Sequence, residues 1–287
     1  MTVQRRQHTA SPAGQRARSQ SALTLRICGE SLAVAGLPGA LRERFSALMR
    51  PFADDFDPVT ATHHLQVRSQ GSEMAIVRDG EVAAAYGDAQ LLLTQLEWHT
   101  VTTALEATEA YLPIHGAVLA RDGAAVLLLA ESGGGKTTLT LGLMRRGWQP
   151  LADDIALIDT QTLAIQPFPR CFHVDDTTRA LAMNEALVEW PGSVRGYARP
   201  LHWAESQQPV RTILLVERCP TCPSRLRGVT LAEAAAAIGS NAIRGRASRS
   251  LLARAAVQLA TGASGGGRLS NGYLDDALDL IESVSVK

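Results

Sequence analysis

The centre of the chain is the stretch Ala130-Glu131-Ser132-Gly133-Gly134-Gly135-Lys136-Thr137-Thr138. It follows an apolar run, Ala124 to Leu129, that predicts a buried strand, and it precedes leucines that fall partly at helical spacing. A strand, a glycine-rich turn and a Lys-Thr pair at a helix start form the context of a phosphate-binding loop. Glycines let successive backbone N–H groups point at an anion, and the helix N-terminus adds the positive end of its dipole. The stretch therefore predicts a phosphate site, with a glycine-rich turn that binds nothing as the alternative.

The residues expected to contact the nucleotide are Ser132, Gly133, Gly134, Gly135, Lys136, Thr137 and Thr138. Lys136 is expected to reach the β- and γ-phosphates, and the Thr137 hydroxyl is expected to bind Mg²⁺. Ala130 departs from the general pattern, which begins with glycine. If the turn requires a positive φ there, alanine costs on the order of 1 kcal/mol. If φ is negative, nothing is lost.

Two adjacent acids, Asp153 and Asp154, interrupt an apolar segment from Trp148 to Asp159 that otherwise predicts one strand. Burying a carboxylate is costly without a cation or hydrogen bonds, so the pair requires a reason. Phosphoryl transfer supplies one, because it uses a metal ligand and a base for the attacking hydroxyl. Neighbours on a strand point to opposite sides, so the two acids are expected to have different roles. Solvated acids at a strand end are the alternative.

The length and composition of the chain limit the classes of protein to which it can belong. The chain has 287 residues, 46% of them hydrophobic and 20% charged, which predicts one large globular domain or two modest ones. Lys+Arg and Asp+Glu both number 28, so charge favours neither nucleic acid nor a membrane surface as a partner. No apolar run approaches the roughly 18 residues of a membrane span, and the N-terminus lacks the apolar core of a secretory signal. Four cysteines do not make a disulfide scaffold in a chain of this length, so we expect a reduced, cytoplasmic protein.

Three regions are predicted from the pattern. Residues 1–21 are polar and predict a disordered tail, and 22–111 predict a smaller α+β region of strands, a short helix and a long helix from Asp88 to Tyr111. Residues 112–287 predict an α/β domain around the phosphate loop. Within this domain we expect a strand over Ile114 to Leu119, a helix from Val174 through Leu187 and a flexible glycine loop over Thr261 to Gly267.

Other candidate sites carry weaker patterns. His63-His64 lies on a predicted strand, where neighbours face opposite ways, so a surface pair is favoured over a metal site. Cys219-Pro220-Thr221-Cys222 has the spacing of a redox pair or half a zinc site, but no second pair exists, and we expect it to form the tip of a hairpin. The loop from Ser193 to Arg199 contains Arg195 and could close over phosphate or an acidic peptide end; a solvated loop is the alternative.

Taken together, several segments resemble a known family. They are His115-Gly116-Ala117, Glu131 to Thr137, Arg146-Gly147, Leu151-Ala152-Asp153-Asp154 and, more loosely, Pro167-Phe168-Pro169-Arg170. They look like the kinase domain of HPr kinase/phosphorylase, whose phosphate-loop fold is shared with phosphoenolpyruvate carboxykinase. The resemblance is specific over about His115 to Asp159. It implies an α/β fold with an HPr-kinase-like P-loop core.

The resemblance also implies an activity, namely ATP- and Mg²⁺-dependent transfer to a serine hydroxyl. By position, Lys136 would bind phosphates, and Thr137 with Asp154 would hold Mg²⁺. Asp153 would act as the base, and His115 would sit near the transferred phosphate.

Two departures separate the chain from a true HPr kinase/phosphorylase. Ala130 replaces that family's glycine, and the downstream Glu-Ile-Arg-Gly-Leu-Gly segment has no match. The layout is more similar to divergent HPr-kinase-like proteins of bacterial gene clusters, some of which phosphorylate the C-terminal serine of a lasso-peptide precursor. A peptide or small-protein substrate is therefore expected, with homo-oligomerisation left open. A small-molecule kinase and an ATP-binding regulator without transfer activity are the alternatives.

Overall fold

A computed structural model describes residues 22–182, 185–189, 196–243 and 245–285. The predicted tail, 1–21, and Arg195 lie outside these ranges. The chain divides after Ala104 into two compact units, each of which is described by itself. Both contain strands and helices, so the chain has a mixed α/β fold.

The first unit contains one five-stranded sheet in the order β1-β2-β3-β4-β5. Its strands are β1 (Leu23–Ile27), β2 (Glu30–Ala35), β3 (His63–Gln70), β4 (Glu73–Arg78) and β5 (Glu81–Tyr86). Strands β2 and β3 are parallel, and the other neighbours are antiparallel. The β4–β5 turn at Asp79-Gly80 has positive φ at both residues, as a tight hairpin requires. Helix α1 (Gly39–Met49) buries Leu41, Phe45 and Leu48.

Helix α2 (Ala89–Ala107) begins where the sequence predicts but ends earlier. Asp88 Oδ1 accepts a hydrogen bond of 2.6 Å from the N–H of Leu91, which is an N-cap contact. The helix was expected to continue to Tyr111; instead, Tyr111 begins a strand. Pro113 accounts for part of this difference, because a proline disfavours helical backbone in the residue before it.

The second unit contains the remaining strands and helices. The strands are β6 (Tyr111–Ile114), β7 (Ala117–Arg121), β8 (Ala124–Leu129), β9 (Gln149–Ala152), β10 (Ala156–Asp159), β11 (Ile165–Gln166), β12 (Phe172–Val174), β13 (Ala186–Glu189), β14 (Gly196–Arg199), β15 (Val210–Arg218), β16 (Arg225–Arg227) and β17 (Gly265–Asn271). The helices are α3 (Lys136–Arg145), α4 (Asp176–Arg179), α5 (Leu231–Ser240), α6 (Arg249–Gly262) and α7 (Leu274–Ser285).

The largest sheet of this unit positions the candidate site. Its strand order is β16-β17-β15-β8-β7-β9, and β8, β15 and β17 are mutually parallel. The carboxyl ends of these three strands therefore meet at one edge, which is where ligands bind in open α/β sheets. Helices α3 and α7 cover one face through a shared core that includes Leu139, Leu143, Leu278 and Ile281. Leu141, on α3, instead packs with Phe172 and Val174 beside the small sheet β12-β14-β13.

Two segments expected to be single strands are each divided. The segment predicted as one strand over Ile114 to Leu119 breaks at His115-Gly116 into β6 and β7, and that predicted over Trp148 to Asp159 breaks at Asp153-Asp154 into β9 and β10. Strand β7 pairs with β9 in the large sheet, while β6 pairs with β10 in the small sheet β11-β10-β6. Both chain segments thus pass from one sheet to the other between the same two pairs of strands, β6 with β10 and β7 with β9. The argument from alternating strand neighbours does not apply to Asp153 and Asp154, because neither lies on a strand.

The glycine segment expected to be a flexible loop is a central strand. Gly265, Gly266 and Gly267 begin β17, which pairs with β15 on one side and β16 on the other. A Cβ on Gly266 would lie 2.8 Å from Ile213 O, and one on Gly267 would lie 2.6 Å from Arg227 O. Glycine is therefore present for close backbone approach rather than for flexibility.

The expected helix from Val174 through Leu187 is also wrong. It is reduced to the four residues of α4, and Ala186 begins β13. Asp175 caps α4 with its side chain and forms a capping box with Thr178. Strong capping fixes where a helix begins but does not set its length.

The Cys219–Cys222 segment is not the tip of a hairpin. Strands β15 and β16 lie on opposite sides of β17, so the segment crosses the carboxyl end of β17. Cys219 and Cys222 form a disulfide bond. Within the described ranges, no helix combines the length and apolar character needed to cross a membrane.

Candidate functional site at the carboxyl edge of the large sheet

The glycine-rich loop joins β8 to α3 at the carboxyl edge of the large sheet. Gly133 and Gly135 have left-handed backbones, with φ of 77° and 93°, and Gly134 N–H donates to Glu131 O at 3.0 Å. Alternating backbone handedness turns successive N–H groups toward one side, which makes an anion-binding concavity. Gly135 occupies the N-cap of α3, and no side chain caps that helix end. Its first N–H groups are therefore available to a phosphate.

Ala130 carries no backbone penalty. Among the described non-glycine residues, positive φ occurs at Cys28, Asp79, Asp122, Asp154 and Leu163. Ala130 is 6% exposed and packs in the core beneath the loop. A Cβ on Gly134 would lie 2.7 Å from Ala130 Cβ and 3.1 Å from Glu131 O. The alanine methyl and the Glu131 carbonyl therefore leave little room for a side chain at position 134.

Lys136 is buried at the start of α3, with 5% of its surface exposed. Its Nζ lies 2.9 Å from Ala130 O, 2.9 Å from His115 Nε2 and 3.4 Å from Glu131 O. Burial lowers the pKa of Lys136, and the negative charges of Asp154 and Asp153 oppose this shift. The ammonium group is held at the inner side of the loop, where a phosphate would compete for it.

His115 lies at the break between β6 and β7. Its Nδ1 is 3.0 Å from Asp154 O, and a carbonyl oxygen can only accept, so Nδ1 carries a hydrogen. Nε2 then has the lone pair that accepts from Lys136 Nζ. The sequence predicted His115 near a phosphate, and the structure brings it to the lysine of the loop.

Asp153 is buried beside the loop, with 2% of its surface exposed. Its Oδ2 accepts a hydrogen bond of 3.0 Å from Thr137 Oγ1, and its Oδ1 has no hydrogen-bond partner within the described residues. Burial, and then the charge of Asp154, raise the pKa of Asp153 to about 7; the Thr137 hydrogen bond and the charges of Lys136 and Arg170 oppose them. A buried carboxylate oxygen without a donor is a natural ligand for a cation.

Asp154 differs from its neighbour in both backbone and surroundings. Its φ is 64°, which is uncommon for a residue other than glycine and which aspartate tolerates better than most. Its carbonyl accepts from the Gly116 N–H at 3.3 Å, and the residue lines the open cavity. The sequence resemblance paired Thr137 with Asp154 as metal ligands. In the structure, the Thr137 hydroxyl contacts Asp153 instead.

A cavity of about 440 Å³ lies over the loop. The loop residues Ser132 to Thr138, His115 and Asp154 form one wall. The other residues that line it, which the sequence did not assign to the site, include His173, Asp175, Thr177, Thr178, Arg218, Asn271 and Gly272. Asn271 supports the loop directly, because a Cβ on Gly135 would lie 2.5 Å from its Nδ2. Nothing in the sequence indicates this role, because Asn271 is placed by β17 and the sequence predicts a flexible loop where this strand begins.

Asp175 lines the same cavity. Its Oδ1 accepts hydrogen bonds from Thr177 and Thr178, from both backbone and side chain. These hydrogen bonds lower the pKa of Asp175 to about 2. One oxygen of the carboxylate, Oδ1, is thus engaged in fixing the start of α4.

The residues of the cavity fit a nucleotide and Mg²⁺. The loop supplies N–H donors and Lys136, and Thr137 and Asp154 supply oxygen ligands of the kind Mg²⁺ prefers. Asp153 does not line the cavity but contacts the Thr137 hydroxyl. Among the described residues, no group of three or more His, Cys, Asp or Glu forms a metal site. A metal here would therefore depend on phosphate oxygens to complete its ligands, as Mg²⁺ commonly does.

Comparisons with known proteins match part of the chain. A family model described as SynChlorMet cassette protein ScmC matches residues 84–187, which is less than half of the chain. The solved Hpr(Ser) kinase/phosphatase from Coxiella burnetii matches 60% of this chain and 91% of its own, at 15% identity and a TM-score of 0.29. No curated protein matches. At this identity and score the structural likeness carries no functional argument, so the role of each residue rests on the site itself.

Proposed function

We propose that the protein is a kinase that transfers the γ-phosphoryl group of ATP to a hydroxyl group in the presence of Mg²⁺. The observation that carries the proposal is the buried contact between Thr137 and Asp153 at the foot of a loop that also holds a buried lysine. A loop that bound only an anion would need the N–H groups and Lys136. A carboxylate buried beside the Thr137 hydroxyl, with one oxygen lacking a donor, adds the requirement for a metal ion.

The residues of the site take separate roles. The loop N–H groups and Lys136 would bind the β- and γ-phosphates, and Lys136 would leave its contacts with Ala130 O and His115 Nε2 to do so. Thr137 and Asp153 would hold Mg²⁺, which supplies charge neutralisation on the phosphate oxygens. His115, in its Nδ1–H form, would keep an acceptor nitrogen beside the lysine.

Asp154 is the better candidate for the base. It lines the open cavity, whereas Asp153 is buried and engaged with Thr137. This division reverses the one implied by the resemblance, in which Asp154 binds the metal and Asp153 takes the proton. A base must reach the proton it removes, and only a carboxylate that faces the cavity can meet an acceptor there.

The substrate we favour is a serine hydroxyl on a short peptide or small protein. The C-terminal serine of a lasso-peptide precursor is the specific case that the sequence resemblance supports. Positioning and charge neutralisation would supply most of the rate enhancement.

The decisive experiment is transfer of labelled γ-phosphate from ATP and Mg²⁺ to a panel of short peptides that carry serine internally or at the C-terminus. Label on a peptide, lost in Lys136→Ala, would support the proposal and identify the acceptor position. Nucleotide binding without label on any peptide would favour a small-molecule acceptor or an ATP-binding regulator. A protein that binds no nucleotide would contradict the proposal.

The two aspartates can be separated in the same assay. Asp154→Asn is expected to lower kcat by roughly 10²–10⁴-fold, the range for loss of a general base, while the affinity for Mg·ATP is kept. Asp153→Asn is expected to raise the Mg²⁺ concentration needed for nucleotide binding. The opposite pattern would restore the assignment of Asp153 as the base.

A further inference from the structure

A second cavity lies against the other side of the phosphate loop. Its volume is about 520 Å³. The residues that line it include Glu131, Ser132, Gly133 and Gly134 of the loop, Glu217 and Arg218 at the end of β15, Ala237 and Ser240 on α5, Asn241 and Arg268. Three of the loop residues, Ser132, Gly133 and Gly134, also line the first cavity. The loop is therefore a wall that the two cavities share.

One lining residue of the second cavity is hydrogen-bonded to a residue expected near the γ-phosphate. Asn241, one of its lining residues, accepts a hydrogen bond of 2.7 Å from the His115 N–H through its backbone oxygen. The His115 ring in turn lies 2.9 Å from Lys136 Nζ. Because a loop lysine reaches the β- and γ-phosphates, these two contacts connect the wall of the second cavity to the residues expected to meet the transferred group.

Arg218 is the one residue outside the loop, within the described ranges, that lines both cavities. It is exposed, and the described residues give its side chain neither a hydrogen bond nor an ion pair. Arg268 is different, because it is bound to Glu217 and lies 3.7 Å from Glu233. Of the two arginines in the second cavity, Arg218 is the one available to a ligand.

We propose that the second cavity admits the phosphoryl acceptor and that Arg218, at its border with the nucleotide cavity, contacts the phosphoryl group during transfer. This inference rests on the proposed kinase function. An arginine placed this way stabilises the negative charge on the three equatorial oxygens of the transferred group. It is attached to the end of β15, so the same chain would supply it without a partner protein.

The transfer itself is balanced by groups of the site and its substrates. The acceptor oxygen forms a bond to the γ-phosphorus, and the bond from that phosphorus to the β,γ-bridging oxygen breaks. ADP leaves with the electron pair. Asp154 lines the first cavity, so the acceptor would extend its hydroxyl from the second cavity past Arg218 into the first, where the proton goes to Asp154.

The cavity also indicates the class of acceptor. Its volume lies within the range of about 300–1,000 Å³ for small-ligand sites, so it would hold an extended peptide end or a compact small molecule. Its lining residues include Ser240, Glu131 and Arg218, which carry hydroxyl, carboxylate and guanidinium groups. A polar acceptor that presents its hydroxyl on an extended segment fits these groups better than an apolar one.

The role of Arg218 can be tested without an acceptor. Binding of Mg·ADP alone and of Mg·ADP with aluminium fluoride, a mimic of the phosphoryl group in transfer, would be measured by calorimetry. Arg218→Ala is expected to weaken the fluoroaluminate complex roughly a hundredfold, the scale for loss of a transition-state donor, and to change Mg·ADP affinity less than twofold. Arg218→Lys should recover part of the loss. Arg211→Ala, at the other end of β15, is the matched control and should bind both as the wild type does.

Two results would overturn this role. Equal weakening of both complexes would make Arg218 a ligand of the bound nucleotide rather than of the group in transfer. Unchanged binding of both would remove it from the site. A wild-type protein that binds neither Mg·ADP nor the mimic would instead contradict the kinase proposal itself.

The acceptor cavity is tested by filling it. Ser240→Trp places a large side chain on the last residue of α5 in the cavity, whereas Ala236→Trp places one on the exposed surface of the same helix. With the peptide that the wild type labels best, Ser240→Trp should raise KM at least tenfold and leave Mg·ADP affinity unchanged, and Ala236→Trp should match the wild type. Equal KM values in both variants would overturn the assignment. A wild type that labels no peptide would remove it together with the peptide-kinase proposal.

Discussion

At the scale of single residues, the methyl group of Ala130 determines what the loop above it can contain. Ala130 belongs to the buried core, and the glycine four positions later fits because it has no Cβ. From the sequence, alanine in place of the first glycine of the motif raised the question of backbone strain. The structure shows that its effect is on packing between Ala130 and Gly134. Whether Ala130 is strained depends on its φ angle, which cannot be derived from the sequence.

That relation predicts the behaviour of a double mutant. Gly134→Ala should lower the free energy of unfolding by about 1–3 kcal/mol and weaken Mg·ADP binding, because the new Cβ would lie 2.7 Å from Ala130 Cβ. Adding Ala130→Gly should recover part of the loss, since the contact of 3.1 Å with Glu131 O remains. Urea unfolding and calorimetry on the four proteins of the cycle measure the coupling. Additive effects of the two substitutions would show that the methyl contact does not limit position 134.

Asp175 gives a prediction that depends on pH. Its folded pKa, about 2, lies below the usual 3.8, so its stabilising effect is present above about pH 4 and is lost as the pH falls through 2. Asp175→Ala should cost about 1 kcal/mol at pH 7, as for loss of an N-cap. Urea unfolding at pH 7, 4 and 3 should show the difference from wild type narrowing as the pH is lowered. A difference that is constant over this range would exclude the ionised carboxylate as its source.

At the scale of secondary-structure elements, helix α7 is fixed to the sheet through Glu282. Its carboxylate accepts from Trp148 Nε1 at 3.1 Å, Arg121 Nη1 at 2.5 Å and Arg146 Nη1 at 3.0 Å. The Arg121 guanidinium also lies over the Trp148 ring, at 4.5 Å from its centre. Helix α7 packs on α3, which begins in the phosphate loop, so this cluster holds the element on which the loop depends.

Glu282→Gln should therefore destabilise the protein. The substitution removes the charge and one acceptor oxygen from a cluster of three donors, which is expected to cost about 1–3 kcal/mol. Asp276→Asn, on the same helix but exposed, is the control and should be within about 0.5 kcal/mol of wild type. Thermal and urea unfolding measure both. A Glu282→Gln variant as stable as its control would show that apolar packing alone holds α7.

Some of these secondary-structure elements could be predicted from the sequence, and others could not. The strand before the loop and the helix after it have local signals, namely an apolar run and a Lys-Thr start, and these were predicted. Strand β17 was missed, because Gly265 to Gly267 carry no β propensity and are required only by backbones that approach from other parts of the chain. The breaks at Gly116 and Asp154 were missed for a related reason, since pairing across two sheets is not a local property.

At the scale of the whole molecule, the candidate site collects residues from the ends of three parallel strands and from the point where two segments change sheets. The loop residues Ser132 to Thr138, which the sequence predicted as nucleotide contacts, line one cavity and are consecutive in the chain. Arg218 and Asn271 lie about 80 and 135 residues further along and share no motif with the loop. Only the strand order brings them to it.

Nucleotide binding should therefore stabilise the second unit. At about 100 times the dissociation constant, Mg·ADP is expected to add about 2.7 kcal/mol to its free energy of unfolding. Hydrogen–deuterium exchange should slow over 130–138 and at the carboxyl ends of β15 and β17, with the first unit's sheet unchanged. Protection confined to the sheet of the first unit would place the nucleotide elsewhere.

The breaks at which both segments change sheets have a consequence for the kinds of mutation that would remove the proposed activity. His115 lies in the connection between β6 and β7, and Asp153 and Asp154 lie in the connection between β9 and β10. The lengths of these two connections set the register in which β6 pairs with β10 and β7 pairs with β9. Deletion of one residue from either connection would shift the strand pairing and unfold the protein. A single-nucleotide substitution that replaces one of the aspartates would remove a carboxylate and leave the fold intact. Inactive descendants that persist should therefore carry substitutions at these positions and retain the spacing between them, and a survey of paralogous genes for gaps in these two connections would test that expectation.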